Sequence, residues 1–138
     1  MLQVFKKLVI NTFPYEIIDI TKNICNLISE YDVKDGLINL SILHTSCSLM
    51  IQENADSNVL KDISIFLKNI APEGNYLHSA EGPDDMPAHL KSLLTQTHIS
   101  LSFKDKHIIL GTWQGIYILE HRATIKKREV LVHLLGEN

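Results

Sequence analysis

Cysteine is scarce in this 138-residue chain, charge is close to balanced, and no apolar stretch is long. Cys25 and Cys47 are the only thiols and belong to no CxxC pair, which rules out a disulfide framework or a cysteine metal cluster and predicts two buried free thiols. Thirteen Lys and Arg stand against sixteen Asp and Glu, for a net charge of −3. Such a balance lacks the basic footprint a phosphate-backbone binder needs, so nucleic acid is not expected as a partner. No apolar run approaches the ~20 residues of a membrane span, and the lysines of MLQVFKKLVI lie inside a strand-like pattern rather than ahead of an apolar signal core. No membrane association and a cytoplasmic location are expected. Repeats, low-complexity runs and Pro/Gly/Ser linkers are also missing, so residues 1–138 read as one domain, and 45% hydrophobic content suffices for a single core.

What is present is periodicity. Residues 2–10 and 37–53 read as strands, with Ile38, Leu40, Ile42 and His44 on one face. Ile17, Ile20, Ile24, Leu27, Ile28 and Tyr31 recur at three- and four-residue spacing and predict a helix. Val59, Leu60, Ile63, Phe66, Leu67 and Ile70 predict a second one, capped by Asp56 or Ser57 and ended by Pro72-Glu73-Gly74. PAHLKSLL reads as a short helix opened by Pro87. HISLSF, KHIIL, GIYILEHR and REVLVHLL then follow as short strands with tight links, which favours antiparallel pairing. The expected class is α+β, a mainly antiparallel sheet or sandwich with two longer helices and one short helix.

Seven histidines supply the candidate chemistry. His44 ends a strand face, His78 lies in the loop GNYLHSAEGPDD, and His89 sits in the first turn of PAHLKSLL. Each alone reads as a hydrogen-bonded structural histidine. Together they would make three imidazole ligands with an open fourth position, the arrangement of a catalytic zinc site. Separations of 34 and 11 residues carry no local ligand motif.

Among the acids, Asp56 is explained by helix capping. Glu53 shares strand parity with Cys47, Leu49 and Ile51, so its carboxylate is either paired or raised in pKa as a general base requires. Glu81, Asp84 and Asp85 form either a solvated turn or a functional loop. In LGTWQGIYILEHR, Gly111 and Gly115 bracket Gln114 and Trp113, which reads equally as a core side chain beside a turn or as a surface or ligand-facing one. Glu120 falls on one face with Ile116, Ile118 and Arg122, as a buried ion pair or an anion site, while Lys126, Lys127 and Arg128 read as a solvated basic turn.

Taken in order, HTSCSLMIQENAD, YLHSAEGPDDMPAHLKSLL and LGTWQGIYILEHR resemble the YjbQ-like family, also called UPF0047, through nearly the whole chain. The resemblance implies an α+β fold of mainly antiparallel sheet, assembly as a homotrimer, a weak thiamine-phosphate synthase activity, and a polar pocket to which His44, His78 and His89 contribute. Two departures stand out. Leu94-Thr95-Gln96-Thr97 replaces a frequent glycine after the short helix, and Gln52-Glu53 stands where many members have Asn-Glu.

The implied reaction joins a pyrimidine diphosphate to a thiazole phosphate with loss of pyrophosphate, which calls for cationic or hydrogen-bonding groups at the phosphates and commonly a divalent ion. No P-loop is present, and the chain is far shorter than a ~250-residue (β/α)8 barrel. The expectation is a metal-assisted small-molecule enzyme. His44, His78 and His89 would hold the metal, zinc as first choice, with Glu53 or Glu120 as base and Thr45, Ser46, Lys91, Gln114 and Arg122 on the substrate. The alternative is a non-catalytic trimer that binds metal or a small ligand.

Overall fold

The periodic stretches separate into eight strands and three helices in the computed structural model, which describes residues 1–138. The strands are β1 (Leu2–Thr12), β2 (Ile17–Asp19), β3 (Asp35–Ile42), β4 (Cys47–Glu53), β5 (His98–Lys104), β6 (His107–Ile108), β7 (Gln114–Glu120) and β8 (Lys126–Glu137). The helices are α1 (Thr21–Ser29), α2 (Ser57–Ile70) and α3 (Asp85–Leu94), of 9, 14 and 10 residues. All pairing is antiparallel, in a five-stranded sheet ordered β1-β8-β3-β5-β6 and a three-stranded sheet ordered β2-β7-β4. The fold is α+β.

Alternation decides which side chains meet. Ile38, Leu40 and Ile42 of β3 and Val130, Val132 and Leu134 of β8 face inward, and join Leu49 of β4, Ile116 and Ile118 of β7, and Ile24, Leu27 and Ile28 of α1 in one buried cluster. The two sheets therefore share a single core, closed by α1. Between β5 and β6 the chain reverses through Asp105 and Lys106, both at positive φ (50° and 66°), the backbone that a two-residue hairpin demands.

Several expectations change here. The stretch 37–53 is two strands, because the chain crosses from the large sheet to the small one at residues 43–46, and this takes His44 out of the strand. Ile17 pairs with β7 in β2 instead of starting a helix. Helix α1 begins only at Thr21, whose N–H and hydroxyl both donate to Asp19 Oδ1 (2.9 and 2.6 Å).

Asp56 does cap α2, accepting the Asn58 N–H at 2.9 Å. Of the α2 stripe, however, only Leu67 is buried. Cys25 is exposed on α1, whereas Cys47 is buried, and burial pushes its thiol up to about 12. Trp113 is 62% exposed and not a core residue. Its turn is held instead by Gln114, whose Oε1 accepts the Gly111 N–H at 2.7 Å. Arg128 is buried at 4% exposure, not part of a solvated turn.

Candidate functional site

Helix α3 starts at Asp85, two residues before the expected Pro87. Proline is tolerated there because the first turn of a helix has no intrahelical acceptor for its N–H groups. The earlier start matters. Asp85 and His89 become an i, i+4 pair on one helix face, and His78 arrives beside them from the preceding loop. His78 Nε2 lies 2.7 Å from Asp85 Oδ2, and His89 Nε2 lies 3.0 Å from the same oxygen. The ring centroids are 5.4 Å apart, and one ligand atom from each residue falls within 4.8 Å of the others.

The second nitrogen of His89 fixes what this means chemically. Its Nδ1–H donates to the Thr45 carbonyl at 2.7 Å, so in the neutral ring Nε2 is the lone-pair nitrogen. A lone pair facing a carboxylate oxygen at 3.0 Å is repulsive until a cation, either a proton or a metal, stands between them. Ligand bonds near 2 Å at tetrahedral angles would set three ligand atoms about 3.3 Å apart. The two imidazole nitrogens stand 2.7 and 3.0 Å from Asp85 Oδ2, both shorter than that, and two histidines with a carboxylate are donors that suit a divalent cation of zinc's preference.

Behind the cluster lies a second layer. Arg122 donates through Nη1 to Asp85 Oδ1, through Nε to Asp84 Oδ2 (both 2.8 Å), and through Nη2 to the Glu81 carbonyl at 3.0 Å. Asp84 Oδ2 also accepts the Ala123 N–H at 2.8 Å. For Asp84, burial pushes the carboxyl up, but the Ala123 N–H and the Arg122 guanidinium together hold it below the usual range. For Asp85, burial is likewise outweighed, here by His78, His89 and Arg122. Both carboxylates are thus ionised and oriented, with one Oδ2 turned to the imidazoles.

The remaining expected residues scatter. His44 is not in the cluster, because its Nε2 accepts the Glu129 N–H at 2.8 Å, and Asp85 stands as the third ligand candidate in its place. Thr45 contributes its carbonyl to His89. Ser46 accepts Arg128 Nη2 through both its carbonyl (3.1 Å) and its hydroxyl (3.0 Å), so it serves the interior.

Glu120, at 2% exposure, has both oxygens committed. Arg128 Nε and the Thr12 hydroxyl donate to Oε1 (2.7 and 2.6 Å), while Arg128 Nη2 and the Arg122 N–H donate to Oε2. Burial pushes this carboxyl up, yet the bonds from Arg128 and Thr12 prevail and keep it below the ordinary value, which is the reverse of what a general base near neutrality needs. Its side-chain partner is Arg128, not Arg122.

Glu53 and Gln114 pair with each other at the far end of the β4–β7 ladder, six residues or about 20 Å from the Cys47–Glu120 end. Lys91 is buried on the opposite side of α3 from His89, two residues or about 200° round the helix. The residue that sequence reasoning passed over is Asp85. Its signal, Asp-x-x-x-His, was hidden by starting the helix at Pro87.

A family model, UPF0047 protein YjbQ-like, matches residues 6–137. The UPF0047 protein sll1880 of Synechocystis is 44% identical over 132 residues, covering 94% of this chain and 90% of that protein. The UPF0047 protein YjbQ of Escherichia coli O157:H7 is 40% identical over 120 residues, covering 86% and 87%. A crystal structure of an uncharacterized conserved protein of the YjbQ/UPF0047 family from Clostridium acetobutylicum superposes with a TM-score of 0.86 at 30% identity, over 94% of this chain and 99% of that one. With the match running through nearly its whole length, the chain belongs to the UPF0047 protein YjbQ-like family.

Proposed function

We propose that this protein binds a divalent cation, zinc first, through His78 Nε2, His89 Nε2 and the Asp85 carboxylate, and presents it to a small molecule from the exposed side of His78. The observation that carries this reading is the meeting of two imidazoles on one carboxylate oxygen, with the tautomer of His89 fixed by Thr45. Two histidines and a carboxylate are the donor set of a zinc site that keeps a position open for substrate. A cation held there would supply Lewis acidity towards a carbonyl or phosphoryl oxygen. Arg122 orients Asp85, and Thr45 orients His89.

Thiamine-phosphate synthesis is the activity that family likeness attaches to such a site, and assembly as a homotrimer comes from the same source. A second reading, metal binding without turnover, is favoured by one observation: neither expected base reaches the cluster within one chain, since Glu120 is saturated and Glu53 lies at the other end of β4. Zinc content of the purified protein tests the binding. Formation of thiamine phosphate from the pyrimidine diphosphate and thiazole phosphate, with and without zinc, separates the two readings. Light scattering tests the trimer.

A further inference from the structure

On the other side of α3 a cleft of about 710 Å³ opens between α2, α3 and the β2–β7 edge. None of His78, Asp85 and His89 lines it. Its walls include Ile17, Ile65, Leu67 and Leu119, and its polar lining includes Lys91, Lys68 and His121.

Lys91 is the unusual member. The residue is 7% exposed, yet it takes part in none of the chain's ion pairs. Its ammonium stands 5.0 Å above the Tyr15 ring, a contact that partly offsets desolvation but leaves the charge unneutralised. Every fully enclosed side-chain nitrogen and oxygen in the protein has a hydrogen-bond partner. The Lys91 ammonium, which has none within the chain, is therefore not fully enclosed, and Lys91 lines the cleft.

A desolvated cation without a counter-ion is costly, and an anion placed against it recovers that cost. The other charges do not supply one. Glu120 is committed to Arg128, and although the charges of Asp84 and of Glu73, which also lines the cleft, favour the ammonium, neither forms an ion pair with it, Asp84 being bonded to Arg122. Burial, and then the neighbouring Lys68, hold the Lys91 amine below the ordinary lysine range. His121 is buried beside it and bonded through Nε2 to the Ser48 hydroxyl at 2.8 Å. Burial pushes its pKa down to about 4, so it adds a neutral polar group to the cleft and no charge.

We propose that this cleft binds a small organic anion, a carboxylate or a phosphate monoester, with its acid group on the Lys91 ammonium and its apolar body against Ile17, Ile65 and Leu119. The site is independent of the cation reading above. Titration of the full chain, zinc-loaded and EDTA-treated, with phenyl phosphate, benzoate, inorganic phosphate and benzyl alcohol tests it by amide chemical shifts.

At least one aromatic anion should saturate the cleft in both forms of the protein, tenfold or more tighter than benzyl alcohol and than inorganic phosphate. Whichever of the two binds better identifies the acid group. Lys91→Met, which swaps a desolvated charge for an apolar side chain of similar length, should fold normally and retain zinc while losing tenfold or more in that affinity. Equal binding of benzyl alcohol or of inorganic phosphate, dependence on zinc, unchanged affinity in Lys91→Met, or no saturable binding of either aromatic anion at millimolar concentration would each overturn the proposal.

Discussion

Arg122 holds Asp85 by a single oxygen: its Nη1 donates to Oδ1 at 2.8 Å and leaves Oδ2 to the two imidazoles. A planar guanidinium that also grips Asp84 and the Glu81 carbonyl sets the direction of that free oxygen, which a flexible ammonium could not do. Arg122→Met is expected to weaken zinc binding by about 10–100-fold, the usual effect of losing an outer-layer partner, and Arg122→Lys should recover little of it. Competition against a chromophoric chelator measures both. Zinc affinity equal to that of the native protein in Arg122→Met would show that Asp85 is positioned by other means.

The Glu120–Arg128 pair is a stability element. Glu120→Ala strands a buried guanidinium beside Ser46 and should destabilise the fold by about 3–5 kcal/mol in urea denaturation. The pH dependence has a definite sign. A carboxyl held below its unfolded value contributes stability that is complete above that value, ~4.3 for glutamate, and is lost as pH falls through the folded value beneath it. The urea midpoint of the native protein should therefore decline below about pH 4.3, and decline less in Glu120→Ala.

Trp113 behaves in the opposite way. With its indole 62% exposed, Trp113→Ala creates no cavity and should change stability by no more than about 0.5 kcal/mol. Gln114→Ala removes the side chain that satisfies the Gly111 N–H and should lower stability by about 1 kcal/mol, the worth of one ordinary hydrogen bond. A melting point that falls further for Trp113→Ala than for Gln114→Ala would contradict both assignments.

Periodicity made the fold class, the antiparallel pairing and the Asp56 cap legible, because each is a local pattern. It failed wherever a tertiary event resets the local one. The crossing between sheets at residues 43–46 ends the alternation that seemed to carry His44 into the site. The Asp19 side chain starts α1 at Thr21, and so turns Ile17 over to β7.

The site was half legible. His78 and His89 are histidines in the expected loop and helix, but the sequence leaves Asp85 between a solvated turn and a functional loop, since its pairing with His89 exists only once the helix begins at Asp85. Nothing local to Glu120 shows that Arg128, eight residues on, will occupy it.

The ligand assignment makes the sharpest distinction among histidines. His78→Ala, His89→Ala and Asp85→Asn should each lose stoichiometric zinc, because three donors are the minimum that holds it with a position open. His44→Ala should keep it, since His44 Nε2 is engaged by the Glu129 N–H. His133→Ala should also keep it, with its ring stacked on Phe5 at 4.2 Å on another strand. Zinc bound at neutral pH should be released as pH falls, because protonating the two imidazoles removes the lone pairs that ligate. Asp85 does not set that limit, for its carboxyl lies below the usual carboxylate range and stays ionised throughout. Metal analysis after dialysis between pH 8 and 5 gives all five variants on one scale. Loss of zinc in His44→Ala together with retention in Asp85→Asn would restore a three-histidine site and remove the one argued here.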